Sequence, residues 1–246
     1  MSEQNTVNKE SNQPYFSVKD IHAYYDESYI VQGVSFDVNE GEILALLGRN
    51  GAGKTSTLRS IARVATPELR QGEIYLQGEA VHEMEDYQAA RAGIQLVPED
   101  RWIIPGLTVE ENLVLAQLEE PIGWPIEQIY SHFPRLAERR KQMGTTLSGG
   151  EQQMLAVARA LTRDIKILLL DEPYEGLAPT IVHEIESILL ELKGLGFTSI
   201  IVEQNAVAAL KLANRAIILD TGVVVFDGTA QEVLENEELR HEYLAI

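Results

Sequence analysis

The sequence contains no cysteine. This absence excludes disulfides, thiol nucleophiles, cysteine-ligated zinc and iron–sulfur clusters, and it fits a reducing compartment. Histidine is also sparse, and its five residues show no spacing that would place two of them on one helix face as metal ligands. We therefore interpret them as surface or packing residues: His22, His82, His132, His183 and His241.

Long hydrophobic runs are missing as well. The longest, such as Ile43–Leu47 and Ile167–Leu170, fall far short of the roughly 20 apolar residues that span a bilayer, so we expect no membrane crossing. The opening stretch MSEQNTVNKESNQP is polar apart from Met1 and Val7, and it offers neither the positive nor the apolar region of a signal peptide. We predict a disordered cytosolic tail over residues 1–14.

Positive charge is scarce, because 38 Asp and Glu residues outnumber 20 Lys and Arg residues and give a net charge of −18. Such a surface opposes unspecific binding to the phosphates of nucleic acid or of anionic lipid. We therefore expect no nucleic-acid partner. The length of 246 residues suits one large domain, which we place at residues 15–246.

The apolar patterning distinguishes two kinds of strand. Three segments are apolar without alternation, which is typical of parallel strands covered on both faces. They lie at 43–47, 165–170 and 197–204. Partly alternating segments near 15–38 and 72–81 favour half-buried antiparallel strands instead.

Helix signals cluster between the first two of the parallel strands. Thr108 with Glu111 forms a capping box before NLVLAQL, and Pro134 opens the helical stretch RLAERRKQM. A further capping box, Thr229 with Glu232, begins a last helix. Parallel strands, crossover helices and a helical insertion predict an α/β fold with a parallel core sheet, an antiparallel β subdomain and a helical subdomain.

A phosphate-binding loop follows the first buried strand. The pattern G-x-x-x-x-G-K-[ST] is met between a predicted strand and a predicted helix by Gly48, Arg49, Asn50, Gly51, Ala52, Gly53, Lys54 and Thr55. Its glycines let backbone N–H groups curl around phosphates, and the next helix points its positive end at the anion. We expect Lys54 to supply a positive charge and Thr55 to ligate Mg²⁺. The alternative is a glycine-rich loop followed by Lys-Thr through chance.

An acidic pair ends the second buried strand, where the segment LLLDE leaves the sheet. In a doubly wound fold this point lies beside the phosphate loop. Asp171 would hold Mg²⁺, commonly through water, and Glu172 would orient and polarise the attacking water. Taken alone, such a pair is also typical of a solvated turn or a helix cap, so its interpretation depends on the loop at 48–55.

The stretch LSGGEQQ at 147–153 begins another helix. Ser148 and Glu151 form an S-x-x-E capping box, which many helices use for stability alone. Gly149 and Gly150, however, disfavour a helix by about 1 kcal/mol each relative to alanine. We interpret these glycines as allowing close approach of the backbone to an anion.

The phosphate loop, LSGGEQQ and LLLDEP, in this order and spacing, resemble the nucleotide-binding subunit of ATP-binding cassette transporters, which are P-loop NTPases. The resemblance covers about residues 15 to 246. It implies ATP and Mg²⁺ as ligands, and nucleotide contacts from residues 48–55, Ser56, Ser148, Gly149, Gly150 and Glu151. It also implies that LSGG contacts the γ-phosphate of ATP held by a second cassette, so that catalysis requires a dimer closed over two nucleotides.

The same resemblance implies an aromatic side chain that stacks on adenine. Tyr25, ten residues before Ser35, matches that position, and Tyr24 is the second candidate. Either tyrosine could instead be an aromatic of the strand core.

Finer motifs are similar to the F-type ATP-binding subunit of branched-chain amino-acid importers, and urea and short-chain amide importers have near relatives. These motifs are VPEDR at 97–101, PGLTVEENL at 105–113, GLAP at 176–179, VEQNAVAAL at 202–210 and the closing EYLAI. Three positions depart from the general cassette pattern. Glu99 stands where most cassettes have a glutamine that senses Mg²⁺ and the permease, Gln204 replaces a switch histidine, and Ala178 replaces an aspartate.

These departures leave useful chemistry in place. Glu99 can still ligate Mg²⁺, and the Gln204 amide can still donate to a γ-phosphate oxygen, although neither reproduces the charge of the usual residue. The substitutions therefore leave open a weakly hydrolysing, nucleotide-gated binding module as one alternative. A second alternative is a soluble cassette outside transport, of which the iron–sulfur assembly type fits the chain length.

We interpret the chain as the ATP-hydrolysing subunit of an importer for branched-chain or related small amino acids, with urea or short-chain amides as the alternative substrates. The resemblance implies two partners: a second cassette, either a copy or a related G-type subunit, and integral-membrane permease subunits received near residues 100–160. A periplasmic or extracellular binding protein would act indirectly. The expected location is peripheral, on the cytoplasmic face of the inner or plasma membrane.

Overall fold

A computed structural model describes residues 13–117 and 123–244 of the chain. The tail predicted for residues 1–14 lies almost entirely outside the described residues, and so do the last two residues of the EYLAI motif. Within the described ranges the chain forms an antiparallel sheet and a larger, mainly parallel sheet flanked by helices. The predicted α/β fold, with its antiparallel and helical subdomains, is confirmed.

The strands follow the predicted patterning. In chain order they are β1 Phe16–Tyr25, β2 Ser28–Val38, β3 Ile43–Leu47, β4 Glu68–Leu76, β5 Glu79–Ala80, β6 Ile94–Val97, β7 Ile167–Asp171, β8 Thr198–Val202, β9 Arg215–Asp220 and β10 Val223–Thr229. The antiparallel sheet has the order β2-β1-β4-β5, and the larger sheet has the order β10-β9-β3-β8-β7-β6. In the larger sheet the neighbours from β9 to β6 pair in parallel, while β10 is an antiparallel edge.

The three apolar segments without alternation are β3, β7 and β8, and every residue in them is buried, as strands covered on both faces require. Leu46 of β3 pairs with Val202 of β8, and Val202 pairs with Asp171 of β7. The carboxyl ends of these strands therefore meet at one edge of the sheet. The sequence patterning did not predict β6, because its run of four apolar or amide residues is stopped by Pro98.

The helices are α1 Lys54–Ile61, α2 Asp86–Ala92, α3 Val109–Gln117, α4 Ile126–His132, α5 Pro134–Glu138, α6 Gly149–Leu161, α7 Pro179–Gly194, α8 Ala206–Leu212, α9 Ala230–Glu235 and α10 Glu237–Tyr243. The predicted capping boxes are present at α6 and α9, and Thr108 Oγ1 accepts from the Glu111 N–H at 3.2 Å before α3. Side-chain oxygens thus satisfy backbone N–H groups that have no partner within the helix.

Helix α5 is shorter than the stretch RLAERRKQM predicted, because it ends at Glu138. The backbone that follows is used elsewhere: the carbonyl oxygens of Arg140 and Gln142 accept from the N–H groups of Glu110 and Val109 at 3.0 and 2.9 Å. These contacts satisfy N–H groups in the first turn of α3. A tertiary contact has therefore overridden the local helix preference.

The core consists of three clusters of buried apolar residues. Each strand of the parallel part of the large sheet contributes to more than one cluster, and β3 contributes to all three. Leu44 and Leu46 pack with α1 and the antiparallel sheet in one buried cluster. On the opposite face, Ile43 joins the cluster that contains α6 and α7, and Ala45 joins the cluster that contains α8 and α9. The strand that leads into the phosphate loop is therefore buried by residues of all three clusters.

Gly222, in the turn between β9 and β10, fixes the loop after β3 against the antiparallel sheet. Its N–H donates to the Ala52 carbonyl oxygen at 3.0 Å, and its own carbonyl oxygen accepts from the Gln32 N–H at 2.8 Å. Its φ is 83°, and a Cβ at this position would lie 2.2 Å from the Ile30 carbonyl oxygen. Glycine is required here both for conformation and for space.

We expect Gly222→Ala to lower the free energy of unfolding by about 2 kcal/mol or more, because the added methyl group meets backbone atoms in a strained conformation. Gly194→Ala is the matched control, since nothing lies within 4 Å of a Cβ at that position. It should change the free energy by less than about 1 kcal/mol. Urea denaturation of both variants measures the difference, and equally small effects would contradict the packing described for Gly222.

Candidate active site

The phosphate loop joins the end of β3 to the start of α1. A Cβ at Gly48 would lie 2.3 Å from the Leu219 carbonyl oxygen, so the chain can turn here only with glycine. Lys54 is buried, and its Nζ donates to the carbonyl oxygens of Gly48 and Arg49 at 3.0 and 3.3 Å. Burial lowers the pKa of Lys54, and the charge of Glu172 opposes that change. The lysine is thus a cation in poorly solvated surroundings, where its attraction for an anion is strong.

A cavity of about 410 Å³ opens beside this loop. Its lining consists of Tyr25, Ile30, Asn50, Gly51, Gly53, Lys54, Thr55, Ser56, Glu172 and Gln204. The structure thus brings together most of the residues that the sequence predicted for nucleotide binding and hydrolysis, from segments far apart in the chain. The volume is in the range of pockets that hold small molecules.

The remaining loop residues have structural contacts. Ala52 is buried, and its N–H donates to the Arg49 carbonyl oxygen at 3.1 Å, which closes the loop on itself. The Arg49 guanidinium turns away and donates from Nη2 to the His241 carbonyl oxygen in α10 at 3.4 Å. The loop therefore contacts the C-terminal helix as well as the sheet.

The two tyrosines at the end of β1 have different surroundings. The Tyr24 ring stacks on Tyr29 with centroids 4.6 Å apart, and the Arg70 guanidinium lies 4.5 Å from the Tyr24 ring centroid. Tyr25 instead lines the cavity together with Gly53. Successive residues of a strand point to opposite sides. The structure therefore favours Tyr25 over Tyr24 as the residue that could stack on a base in the cavity.

A direct hydrogen bond connects the phosphate loop to the end of β7. Thr55 Oγ1 donates to Asp171 Oδ1 at 2.8 Å. Burial raises the pKa of Asp171, while the bond from Thr55 and the charge of Arg59 oppose the rise. A hydroxyl and a carboxylate are hard oxygen ligands of the kind that Mg²⁺ takes, and a buried carboxylate is stabilised by a cation beside it. Thr55 and Asp171 therefore fit a Mg²⁺ ion.

Glu99 approaches this pair from another strand. It lies exposed in the loop that follows β6, and its negative charge contributes to raising the pKa of Asp171. Strands β6 and β7 are parallel neighbours in the sheet and Val97 pairs with Leu170, so this loop begins beside Asp171. Glu99 is thus placed to add a further oxygen to the same region.

Glu172 and Gln204 form a hydrogen-bonded pair just beyond the carboxyl ends of β7 and β8. Gln204 Nε2 donates to Glu172 Oε2 at 2.7 Å, and the Glu172 N–H donates to the Val202 carbonyl oxygen at 2.9 Å. Glu172 has a φ of 48°, a left-handed conformation that disfavours a residue with a Cβ by about 1 kcal/mol or more. This strained turn faces the carboxylate into the cavity, where it can accept a proton from water.

The LSGG segment lies outside the lining of this cavity, at the start of α6. Ser148 Oγ donates to Glu151 Oε2 at 2.7 Å, and Arg139 Nε contacts Glu151 Oε1 at 2.5 Å. Although burial opposes it, the bonds from Ser148 and the charge of Arg139 hold the pKa of Glu151 below its ordinary value. Ser148 is exposed. Ser148 therefore lies at the protein surface, and its hydroxyl group bonds within α6 rather than to the phosphate loop of its own chain.

The two glycines of LSGG differ in their surroundings. A Cβ at Gly150 would lie 2.2 Å from Ile181 Cγ2, because α7 packs against that position. At Gly149 the nearest atoms, on Arg101 and Leu177, are 3.6 Å away. Packing against α7 explains why residue 150 is a glycine. For Gly149, the close approach of its backbone to an anion stays a prediction.

A family model described as ABC transporter matches residues 31–175. The chain belongs to the ABC transporter family. It is 40% identical over 227 residues to the high-affinity branched-chain amino acid transport ATP-binding protein BraG of Pseudomonas aeruginosa, covering 91% of this chain and 97% of that protein.

Other members of the family are similar over comparable lengths. The probable branched-chain amino acid transport ATP-binding protein LivF of Archaeoglobus fulgidus is 37% identical over 222 residues, covering 89% of the cassette and 93% of that protein. The lipopolysaccharide export system ATP-binding protein LptB of Haemophilus influenzae is 34% identical over 226 residues, with coverage of 89% and 92%. A solved dimeric cassette in a post-hydrolysis state with ADP and Pi matches with a TM-score of 0.76 at 25% identity, over 87% of this chain and 98% of that one.

Membership of this family makes the cassette an ATPase with the P-loop NTPase fold. The nucleotide of the solved relative agrees with the phosphate loop described above. Among residues 13–117 and 123–244 of the cassette, no helix is both long and apolar enough to cross a membrane.

Glu203 is a site residue that the sequence analysis missed. Only 4% of it is exposed, and its Oε1 accepts from the Tyr174 N–H at 2.9 Å. Burial raises the pKa of Glu203 from 4.5 to about 7, and bonds from backbone N–H groups moderate the rise. The sequence contains only a weak indication that this residue is buried, because Glu203 directly follows the apolar run of β8.

The raised pKa of Glu203 predicts a pH dependence of stability. Between pH 4.5 and 7 the native state binds a proton that the unfolded state has lost, so this contribution to stability is full at low pH and is lost as pH rises through 7. Glu203→Gln removes it. We expect the parent to lose on the order of 3 kcal/mol relative to the variant between about pH 5 and 8. Urea denaturation at several pH values measures this difference, and a difference that stays flat would contradict the assignment.

Proposed function

We propose that this cassette is the ATP-hydrolysing subunit of an importer for branched-chain or related small amino acids, with residues 15–246 forming one cassette. The names of the relatives support the substrate class, because BraG and LivF, both branched-chain amino acid transport proteins, are more similar to the chain than LptB is. One observation carries the hydrolytic role: the Glu172–Gln204 pair faces the same cavity as Lys54 of the phosphate loop.

The proposed chemistry assigns a distinct role to each of these groups. Glu172 orients the water that attacks the γ-phosphate and accepts its proton. Gln204 holds this carboxylate at 2.7 Å and can turn its amide to donate to a γ-phosphate oxygen. Lys54 and the backbone N–H groups of residues 48–55 stabilise negative charge on the phosphates, and Tyr25 and Ser56 complete the nucleotide contacts.

Thr55 and Asp171 are the proposed ligands of Mg²⁺, with Glu99 as a further oxygen donor. When bound, the ion supplies positive charge to the β- and γ-phosphate oxygens. Support comes from the 2.8 Å contact between Thr55 and Asp171 and from the burial that makes a cation favourable there. Glu99 also stands in the loop that leads to the helical subdomain, which suits a residue that transmits a signal from the permease.

A second cassette, either a copy or a related G-type subunit, is the proposed partner at LSGG. Ser148 is exposed and lies outside the lining of the cavity at its own phosphate loop. The segment from Ser148 to Glu151 can therefore meet a nucleotide only on another subunit. The solved relative with ADP and Pi is likewise dimeric.

A groove beside the helical subdomain is the proposed docking site of the permease. A cavity of about 260 Å³ lies between the loop after β6 and the helices α3 and α6. Trp102 and Leu115 line it, and about half of each residue is exposed, 51% and 52%. Exposed apolar side chains next to three arginines, Arg101, Arg159 and Arg163, suit a short amphipathic helix from a membrane protein. Docking there would place the cassette on the cytoplasmic face of the membrane, with a binding protein acting through the permease.

Two alternatives to this function are an importer of another substrate and a cassette that takes no part in transport. Import of urea or short-chain amides would use the same cassette chemistry, and uptake of labelled leucine against labelled urea by the assembled complex separates the two substrates. A soluble cassette outside transport is disfavoured by the exposure of Trp102 and Leu115 in this groove. Co-purification with a multi-span permease would discriminate these classes.

Glu172→Gln should lower the turnover of ATP by on the order of 10² or more while ATP affinity is retained, because positioned acid–base groups commonly contribute 10² to 10⁴. Glu99→Gln should retain most basal hydrolysis, since the amide keeps an oxygen ligand. Steady-state hydrolysis and nucleotide binding by the assembled transporter test both variants. A loss for Glu99→Gln as deep as that for Glu172→Gln would mean that Glu99 is the general base.

Lys54→Ala should weaken nucleotide binding, because it removes the buried cation of the phosphate loop. Ser148→Arg should leave binding nearly intact and abolish turnover, because a bulky side chain at LSGG blocks the facing site of the partner. The lost helix cap lowers stability by about 1 kcal/mol, which leaves the fold intact. Titration with a fluorescent ATP analogue and a hydrolysis assay separate the two effects, and equal loss of binding would disprove this division of roles.

A further inference from the structure

A buried carboxylate lies behind the catalytic pair. Glu203 directly precedes Gln204, and its Oε1 accepts from the Tyr174 N–H at 2.9 Å. This bond joins the loop that contains Glu203 to the loop that contains Tyr174.

These two loops carry the proposed reactive groups. Tyr174 lies two residues after Glu172 in the loop that follows β7, and Gln204 begins the loop that follows β8. The parallel ladder between the two strands ends at Asp171 and Val202. Beyond that point the Glu172 N–H still bonds to the Val202 carbonyl oxygen, but the two loops are then joined through side chains. Glu203 supplies one such connection, and the Gln204–Glu172 bond supplies another.

We propose that Glu203 is a positioning residue, whose carboxylate holds the loop after β7 against the loop after β8 and so keeps Glu172 and Gln204 at bonding distance. This inference rests on the proposed function of Glu172. A strained left-handed residue such as Glu172, with a φ of 48°, persists only where its surroundings fix it. The bond from Tyr174 to Glu203 fixes the far side of that turn.

The chemistry of the site explains why the residue is a carboxylate. An ionised carboxylate only accepts hydrogen bonds, which suits a backbone N–H group that approaches it from a neighbouring loop. A glutamine of the same size would retain one acceptor oxygen and place an NH₂ group against backbone donors. An aspartate would keep the charge but shorten the reach to Tyr174 by one methylene group.

The test is steady-state ATP hydrolysis by the full chain assembled with its transporter. We expect Glu203→Gln to lower kcat by about tenfold or more and to leave the KM for ATP within about twofold, because misplacement of reacting groups affects chemistry rather than binding. Glu203→Asp should lower kcat as well. Glu186→Gln is the matched control: its carboxylate lines the cavity between α7 and α8 with Glu203 but bonds to His183 at 3.0 Å, so kcat should be unchanged.

Amide hydrogen exchange gives a readout that does not depend on activity. The Tyr174 N–H should exchange faster in Glu203→Gln than in the parent, while amides of β3 keep their protection. Wild-type kcat and wild-type exchange at Tyr174 in Glu203→Gln would overturn the inference. Full activity of Glu203→Asp would also overturn it, because negative charge alone would then suffice.

The Glu172→Gln variant in the same assay separates the positioning role of Glu203 from the catalytic role of Glu172. If Glu172→Gln is inactive and Glu203→Gln is fully active, the positioning role fails and the proposed function stands. If Glu172→Gln retains turnover, the proposed catalytic role fails, and the positioning role fails with it. An inactive Glu172→Gln together with a slow Glu203→Gln of normal KM supports both.

Discussion

The site depends on the parallel pairing of β3, β8 and β7. Leu46 lies beside Val202, and Val202 lies beside Asp171, so the chain leaves three neighbouring strands at one edge of the sheet. The phosphate loop, the turn at Glu172 and the loop at Gln204 all begin at that edge. This register allows Thr55 to bond to Asp171, 116 positions along the chain. Residues so distant in sequence share a cavity because three strands end together.

Several ionisable groups are buried where a protein selected for stability alone would place apolar ones. Burial shifts the pKa of Lys54, Asp171 and Glu203 in the direction of the neutral form. Each group is compensated differently: Lys54 by carbonyl oxygens, Asp171 by the Thr55 hydroxyl, and Glu203 by the Tyr174 backbone amide. Active sites commonly lower stability in this way, and the enclosed core around β3 offsets the cost.

The parts of the fold that could be predicted have local signals. The buried runs of β3, β7 and β8 lack alternation, and glycines at fixed spacing precede Lys54, so neither depends on distant contacts. The early end of α5 and the short strand β6 could not be predicted, because both depend on tertiary pairing. The burial of Glu203 could not be predicted for a related reason. A glutamate in a loop is ordinarily solvated, and only the packed structure shows that this one is buried.

The capping box of α6 sets up a competition for one hydrogen atom. Ser148 has a single hydroxyl hydrogen, and in the free chain it is donated to Glu151 Oε2 at 2.7 Å. A phosphate oxygen can only accept, so the Ser148 hydroxyl can donate to a nucleotide on a neighbouring subunit only by withdrawing its hydrogen from Glu151. Arg139 contacts the other oxygen of Glu151 and can keep that carboxylate in place meanwhile. Joining two cassettes through this serine would therefore be an exchange of acceptors that leaves both cap bonds of α6 in place, because the Ser148 oxygen still accepts from the Glu151 N–H and Glu151 Oε2 still accepts from the Ser148 N–H.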